Sequence, residues 1–257
     1  MIEHWRRLHY TVASAPSLCV SGVRKICGDI RFEIPGEDFH TDLTFEDLGY
    51  TTKGKLGQLK RNYWNQALVD KAIEKLLSRK DKGHCSAAIK MEAGEKDSRS
   101  SGFCIQNMVI TICEGKSFID LYYRSTEISM KFLADLLFLC HVLPPVFQTL
   151  GISPQVIRFK FANAFISALY QPVFLRFEED PVGFYKHLEK NDPRFYRTYS
   201  LATSKYLMET HSYTYRMRIR MFEYFQHWVT KEKIDLLRPV FKGLRPDIIE
   251  EDEGDDE

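Results

Sequence analysis

The stretch CIQNMVITICEGKSFIDLYYRSTEISMKFLADLLFLCHVL, Cys104 to Leu143, carries the signals that decide the fold class. Cys104–Cys113 and Ser117–Tyr123 are rich in β-branched and aromatic residues, and Glu114-Gly115-Lys116 between them supplies turn chemistry. The pair reads as a β-hairpin. Thr126–Leu143 is then almost continuously apolar, which predicts a buried helix stopped by Pro144-Pro145. A hairpin feeding a core helix predicts the α+β class.

Upstream, Trp64, Leu68, Ala72 and Leu76 recur at helical spacing with Ile73 and Leu77 beside them, predicting a helix over 60–78. Lys80–Gly83 is a charged break, Ser86–Met91 a short strand and Glu92–Ser101 a polar surface loop. Residues 1–50 show no clear period, only turns at Pro35-Gly36 and Leu48-Gly49. Downstream, Val156, Arg158 and Lys160 alternate with Ile157, Phe159 and Phe161, a strand with one basic face. Asn163–Phe177 is apolar and predicts a helix. Tyr213–Met221 alternates tyrosine, methionine and isoleucine with Thr214, Arg216, Arg218 and Arg220. That pattern is either a strand with a basic face or a helix covered in arginine, and the strict alternation favours the strand. The expectation is one domain over 1–248, a mixed sheet packed with helices, followed by a disordered acidic tail at 249–257.

Composition narrows the function classes. At 257 residues, 44% hydrophobic and 13% aromatic, the chain buries a real core, which excludes a wholly disordered protein. Its longest apolar run, Phe132–Leu143, is broken by Asp135 and His141 and is too short for a bilayer, so no membrane span is expected. Met-Ile-Glu-His-Trp-Arg-Arg at the start has no signal-peptide character. Six scattered cysteines, without metal-ligand pairs, read as reduced thiols and a cytoplasmic location, with no metal site. The net charge of +1 hides an asymmetry: without the seven carboxylates of Glu250–Glu257, 36 basic groups face 28 acidic ones. The body is therefore expected to prefer anionic ligands.

Three places carry chemistry. Asp135 sits among apolar neighbours, where a carboxylate is costly unless it is paired. It is either a structural pair to a nearby basic group or a carboxyl that reads a ligand edge inside a pocket. Arg124-Ser125, between strand and helix, offers a guanidinium fork beside free helix amides, an anion site in its simplest form, although many strand ends carry the same dipeptide. Cys104 begins a strand after a polar loop, as an exposed nucleophile or as an ordinary small core residue.

Taken together these residues resemble the thymidylate synthase and deoxycytidylate hydroxymethylase superfamily. In that family a nucleophilic Cys precedes a hairpin, then Arg-Ser-x-Asp, then an Asn or Asp eleven residues past the Arg that reads the pyrimidine. Cys104 lies 20 residues before Arg124, Arg124-Ser125-Thr126-Glu127 stands on the Arg-Ser-x-Asp motif, and Asp135 falls eleven residues on. Asp47-Leu48-Gly49-Tyr50, Asp70 and Phe161-Ala-Asn-Ala-Phe-Ile match more loosely, so the resemblance covers about 45–170. The departures are specific. Phe103-Cys104-Ile105 stands where the family has Pro-Cys-His, and His84 and Cys85 replace the paired arginines that reach a partner subunit's phosphate. Phe165 and Ser167 replace the sugar-holding His and Tyr, and Lys131 replaces a Gly.

The resemblance implies a thymidylate synthase-like fold and a homodimer built back to back through the sheet. It implies one-carbon transfer, hydroxymethylation or methylation, to C5 of a pyrimidine nucleotide, with 5,10-methylenetetrahydrofolate as cofactor. In that reading Cys104 adds to C6 as a thiolate whose pKa Arg124 lowers. Arg124, Ser125 and Asn163 bind substrate, Glu127 meets the folate at the mouth of the pocket, and Asp135 reads the base. Cytosine presents an N4 donor and an N3 acceptor, which a protonated carboxyl matches, whereas uracil suits an amide. Asp135 therefore tilts the substrate toward a cytosine nucleotide such as dCMP over dUMP. The alternative is a catalytically degenerate relative that binds nucleotide or nucleic acid through the basic sheet face.

Overall fold

The computed structural model describes residues 1–21, 23–91, 104–208 and 231–241. The strand expected at Tyr213–Met221, the loop at Glu92–Ser101 and the acidic tail lie outside those residues. Among them the chain is a mixture of helices and one six-stranded sheet, consistent with the α+β class. The elements run α1 Ile2–Ser14, β1 Cys19–Ser21, β2 Arg24–Pro35, α2 Thr52–Tyr63, α3 Gln66–Leu77 and β3 His84–Lys90. They continue as β4 Ile105–Cys113, β5 Lys116–Glu127, α4 Lys131–Leu150, β6 Pro154–Ser167 and α5 Gln171–Phe177. Last come α6 Pro181–Asn191, α7 Pro193–Met208 and α8 Lys231–Phe241. The strands hydrogen-bond in the order β1-β2-β6-β5-β4-β3.

The chain packs as two compact units: Met1–Leu8 with Gly28–Ala164, and His9–Cys27 with Phe165–Glu257. Helical and strand periods are local and do not report which distant segments cluster. In the second unit, His9 of α1 is buried, stacked on Phe174 at 3.9 Å and set edge-on to Phe184. Lys25 is also buried, donating to the Ala13 carbonyl at 2.7 Å and standing 3.6 Å from Asp192.

The first unit is organised by the β4–β5 hairpin. Its turn is two residues, not three: Glu114 and Gly115 both have positive φ (50° and 74°), and Lys116 already pairs with Cys113. Two left-handed residues twist in the sense of the strands, and Gly takes the second at no steric cost. On β5 Ile119, Leu121 and Tyr123 face the core, and on β4 Met108, Ile110 and Ile112 do. Between Ile105 and Asn107 the register slips, so Gln106 is an extra residue and Ile105 returns to the core side. On the outer face Asp120 of β5 pairs with Arg158 at 3.2 Å and Lys160 at 2.9 Å of β6. That part of the basic face is therefore an ordinary ion-paired sheet surface.

Three expected boundaries moved, each for a local reason. The helix expected over 60–78 is two, because Asn65 leaves helical geometry and caps α3 by accepting the Leu68 N–H at 3.3 Å. The segment expected to be helical from Asn163 continues β6 to Ser167 before α5, since a short apolar run does not distinguish strand from helix. Finally, α4 begins at Lys131, not Thr126, and runs through Pro144-Pro145 to Leu150. An interior proline costs about 3 kcal/mol. Beyond the pair Val146 and Leu150 are buried, at about 1.5–3 kcal/mol each, and Lys80 Nζ caps the Leu150 carbonyl at 2.7 Å. Those gains offset the cost. At 20 residues α4 is long and apolar enough to cross a membrane, contrary to the reading of its shorter apolar run. Most of it is nevertheless buried in the unit's own core.

Gly36 marks a close approach within this unit: a Cβ there would lie 1.6 Å from the Pro154 carbonyl oxygen at the start of β6. Gly36→Ala is expected to lower stability by about 1–3 kcal/mol or more, read as a lower urea midpoint at unchanged slope. An unchanged midpoint would refute this packing.

Candidate functional site

The site starts from how α4 begins. After β5 the chain must turn, and the first amides of α4 need acceptors. Glu127 supplies them: its carboxylate accepts from the N–H groups of Ser129 at 2.9 Å, Met130 at 2.8 Å and Lys131 at 3.3 Å. Trp5 fixes the same turn from α1, donating its indole N–H to the Ile128 carbonyl at 2.7 Å. With the helix start set this way, Asp135 comes one turn in, on the part of α4 buried in the core. It is 4% exposed.

Cys104 is positioned from the other side. The ladder past the Gln106 bulge is continued by the Arg124 N–H, which donates to the Cys104 carbonyl at 2.9 Å. The Cys104 N–H donates to the Tyr63 hydroxyl at 3.3 Å, from the last residue of α2. The thiol is half-buried. Tyr123 lies beside it on β5, its ring held by Phe132 and Phe161 at 5.7 and 5.1 Å.

The electrostatics tie these groups together. Burial pushes the Asp135 carboxyl up to about 7, against the pull of the Lys55 and Lys131 ammonium groups. Asp135 makes no hydrogen bond among the described residues. The Tyr123 hydroxyl, also buried, has no hydrogen-bond partner there either. Burial raises the Cys104 thiol, and the Asp135 charge raises it further; a hydrogen bond with Tyr63 and the charges of Lys131 and Arg124 work the other way. The expectation that Arg124 leaves the thiol below its ordinary range is therefore corrected: desolvation outweighs the cations. Lys55, on the first turn of α2 with its ammonium 4.4 Å from the centre of the Tyr50 ring, is lowered by its own burial.

Of the residues singled out in the sequence, Arg124 and Asp135 are thus both brought within electrostatic reach of Cys104. Ser125 and Asn163 are half-buried on β5 and β6. Two expectations fail. Arg124-Ser125 does not open a helix, because β5 continues to Glu127, and the amides expected to receive an anion are held by the Glu127 carboxylate. Glu127 is fully buried rather than at a pocket mouth. It has no face left for a pterin ring, so the residue matched to the folate contact does not fit that cofactor. Sequence reasoning missed Tyr63, Tyr123 and Lys55. Tyr63 follows from no period, since it ends one helix just before a break. Tyr123 looks like any inward residue of an alternating strand.

No family model and no curated protein sequence matches this chain.

Asp135 also makes stability depend on pH. Folded, it keeps its proton up to about pH 7; unfolded, it releases it near the ordinary value of 3.8. The folded state is therefore favoured below the lower value and loses that advantage as pH rises through about 7. Asp135→Asn removes the penalty, so its melting temperature should exceed that of the wild type at pH 8, by an amount that shrinks toward pH 5. The full effect is on the order of a few kcal/mol. A variant less stable at pH 8 would mean that Asp135 is held by a basic partner.

Proposed function

We propose that the chain is a thymidylate synthase-like protein whose site takes a pyrimidine nucleotide, a cytosine nucleotide by preference, and acts on C5 through Cys104. The observation that carries this reading is Asp135: a carboxyl 4% exposed, protonated to about pH 7, without a hydrogen-bond partner among the described residues, and coupled to a cysteine. A buried polar group left unpaired costs about 1–3 kcal/mol, and a ligand that pairs it recovers that cost. Cytosine fits. The protonated oxygen donates to N3 while the other oxygen accepts from the N4 amine. Arg124, exposed beside Cys104, supplies the cation for a phosphate.

The reaction begins when the Cys104 thiol gives its proton to solvent. The sulfur then bonds to C6, and the displaced π electrons make C5 nucleophilic. A solvent proton adds at C5, the original hydrogen leaves from the same carbon, and expulsion of the thiolate restores the ring. Net exchange of the C5 hydrogen needs no second substrate. A second reading, nucleotide binding without transfer, is favoured by one pair of observations: the thiol is raised and Glu127 is closed to a folate.

Deuterium exchange at C5 of dCMP and dUMP separates the two readings. Exchange into dCMP, lost in Cys104→Ala, is the expected result; binding without exchange selects the second reading, and neither binding nor exchange refutes both. Asp135→Asn offers uracil the donor and acceptor it needs, so the ratio of dCMP to dUMP affinity should fall about tenfold or more. An unchanged ratio would remove Asp135 from the site.

A further inference from the structure

Tyr63 is placed to do more than fill the core. Its ring, 6% exposed, packs 6.1 Å from Phe138, and its hydroxyl reaches the one residue of the cluster that can act as a nucleophile. The backbone of Cys104 is held at both ends, its N–H by Tyr63 and its carbonyl by the Arg124 amide. A hydroxyl oxygen that accepts an N–H can also donate its own proton, and Tyr63, held against Cys104 in this way, pulls the thiol down. The position after Cys104, where the resemblance expects a histidine, is Ile105, which brings no polar group to the sulfur. Asp135, buried and without a hydrogen bond among the described residues, acts on the same thiol.

We propose that Tyr63 is the positioning residue of Cys104, holding its backbone and donating the hydroxyl proton to the sulfur as a hydrogen bond when that sulfur is a thiolate. Tyr63 stays a donor throughout the working pH range, because burial and the neighbouring Asp135 charge keep the phenol from ionising. The groups facing Cys104 are Asp135 and Lys131 of α4, Arg124 and Tyr123 of β5, and Tyr63 of α2. Asp135 opposes the thiolate; Tyr63, Lys131 and Arg124 favour it. The inference rests on the reading of Cys104 as a nucleophile but concerns the thiol alone, so its test needs no nucleotide.

The test is alkylation of the full chain by iodoacetamide, in which the thiolate sulfur bonds to the acetamide carbon and iodide leaves. Modification at Cys104 is followed by peptide mass spectrometry across pH 6–11. Tyr63→Phe keeps the ring and loses only the donor. Its midpoint should move up by about one unit, so that at a fixed lower pH Cys104 reacts about tenfold more slowly. A 3-fluorotyrosine at position 63, with a more acidic hydroxyl, should move the midpoint down. If Tyr63 only braces the backbone, Tyr63→Phe loosens Cys104, which then reacts at the same rate or faster; that result overturns the proposal. So does a wild-type Cys104 that is not alkylated at any pH. Shifted midpoints without C5 exchange would refute the nucleotide chemistry and leave Tyr63 standing, and exchange with unmoved midpoints would do the reverse.

Discussion

The carboxylate of Glu127 is the constraint on which the first unit's site depends. Three backbone amides at the start of α4, two of them buried, would otherwise lack acceptors, and each buried loss costs about 1–3 kcal/mol. By turning back on its own chain Glu127 fixes where β5 ends and α4 begins. That choice sets the phase of the helix, and the phase decides that Asp135 is carried into the core rather than toward water. The Glu127 carboxyl is itself raised by burial, with the amides pulling the other way. A cap in so dry a place is an exacting one. It also closes the position to any other partner.

The second feature is a balance between desolvation and charge. Lys55 and Lys131 act on Asp135, and Lys131 and Arg124 on Cys104, yet burial outweighs them at both acids and leaves each more protonated than in water. Such a cluster costs stability at neutral pH. The same logic separates the outer sheet face. There Asp120 stands between Arg158 and Lys160 in ordinary ion pairs, and the basic character read along β6 is compensated locally.

Much of the first unit is legible in its residues, because the signals are short-range. Alternation along Ile105–Cys113 and Lys116–Tyr123, with Glu114-Gly115 between, requires only neighbours to be understood. The spacing of Cys104, Arg124 and Asp135 is likewise a property of the chain, since a two-strand hairpin and one helical turn convert those separations into proximity. What depended on distant partners was not legible. Leu59–Leu77 has one period, but Asn65 prefers the α3 amides to continuing the helix. Pro144-Pro145 reads as a stop until the core beyond it is known to be there.

The sequence alone thus determined the hairpin, the core helix, the α+β class and the three residues most worth testing. Each follows from local period, turn chemistry or fixed spacing. Tertiary structure decided the rest. It drew His9–Cys27 toward the chain beyond Phe165, turned Glu127 from a prospective ligand contact into a helix cap, and brought Tyr63 to Cys104 across 41 residues. It also set the protonation of Asp135 and Cys104. Desolvation is a property of everything packed around a group, and no order of residues along a chain contains it before the chain has folded.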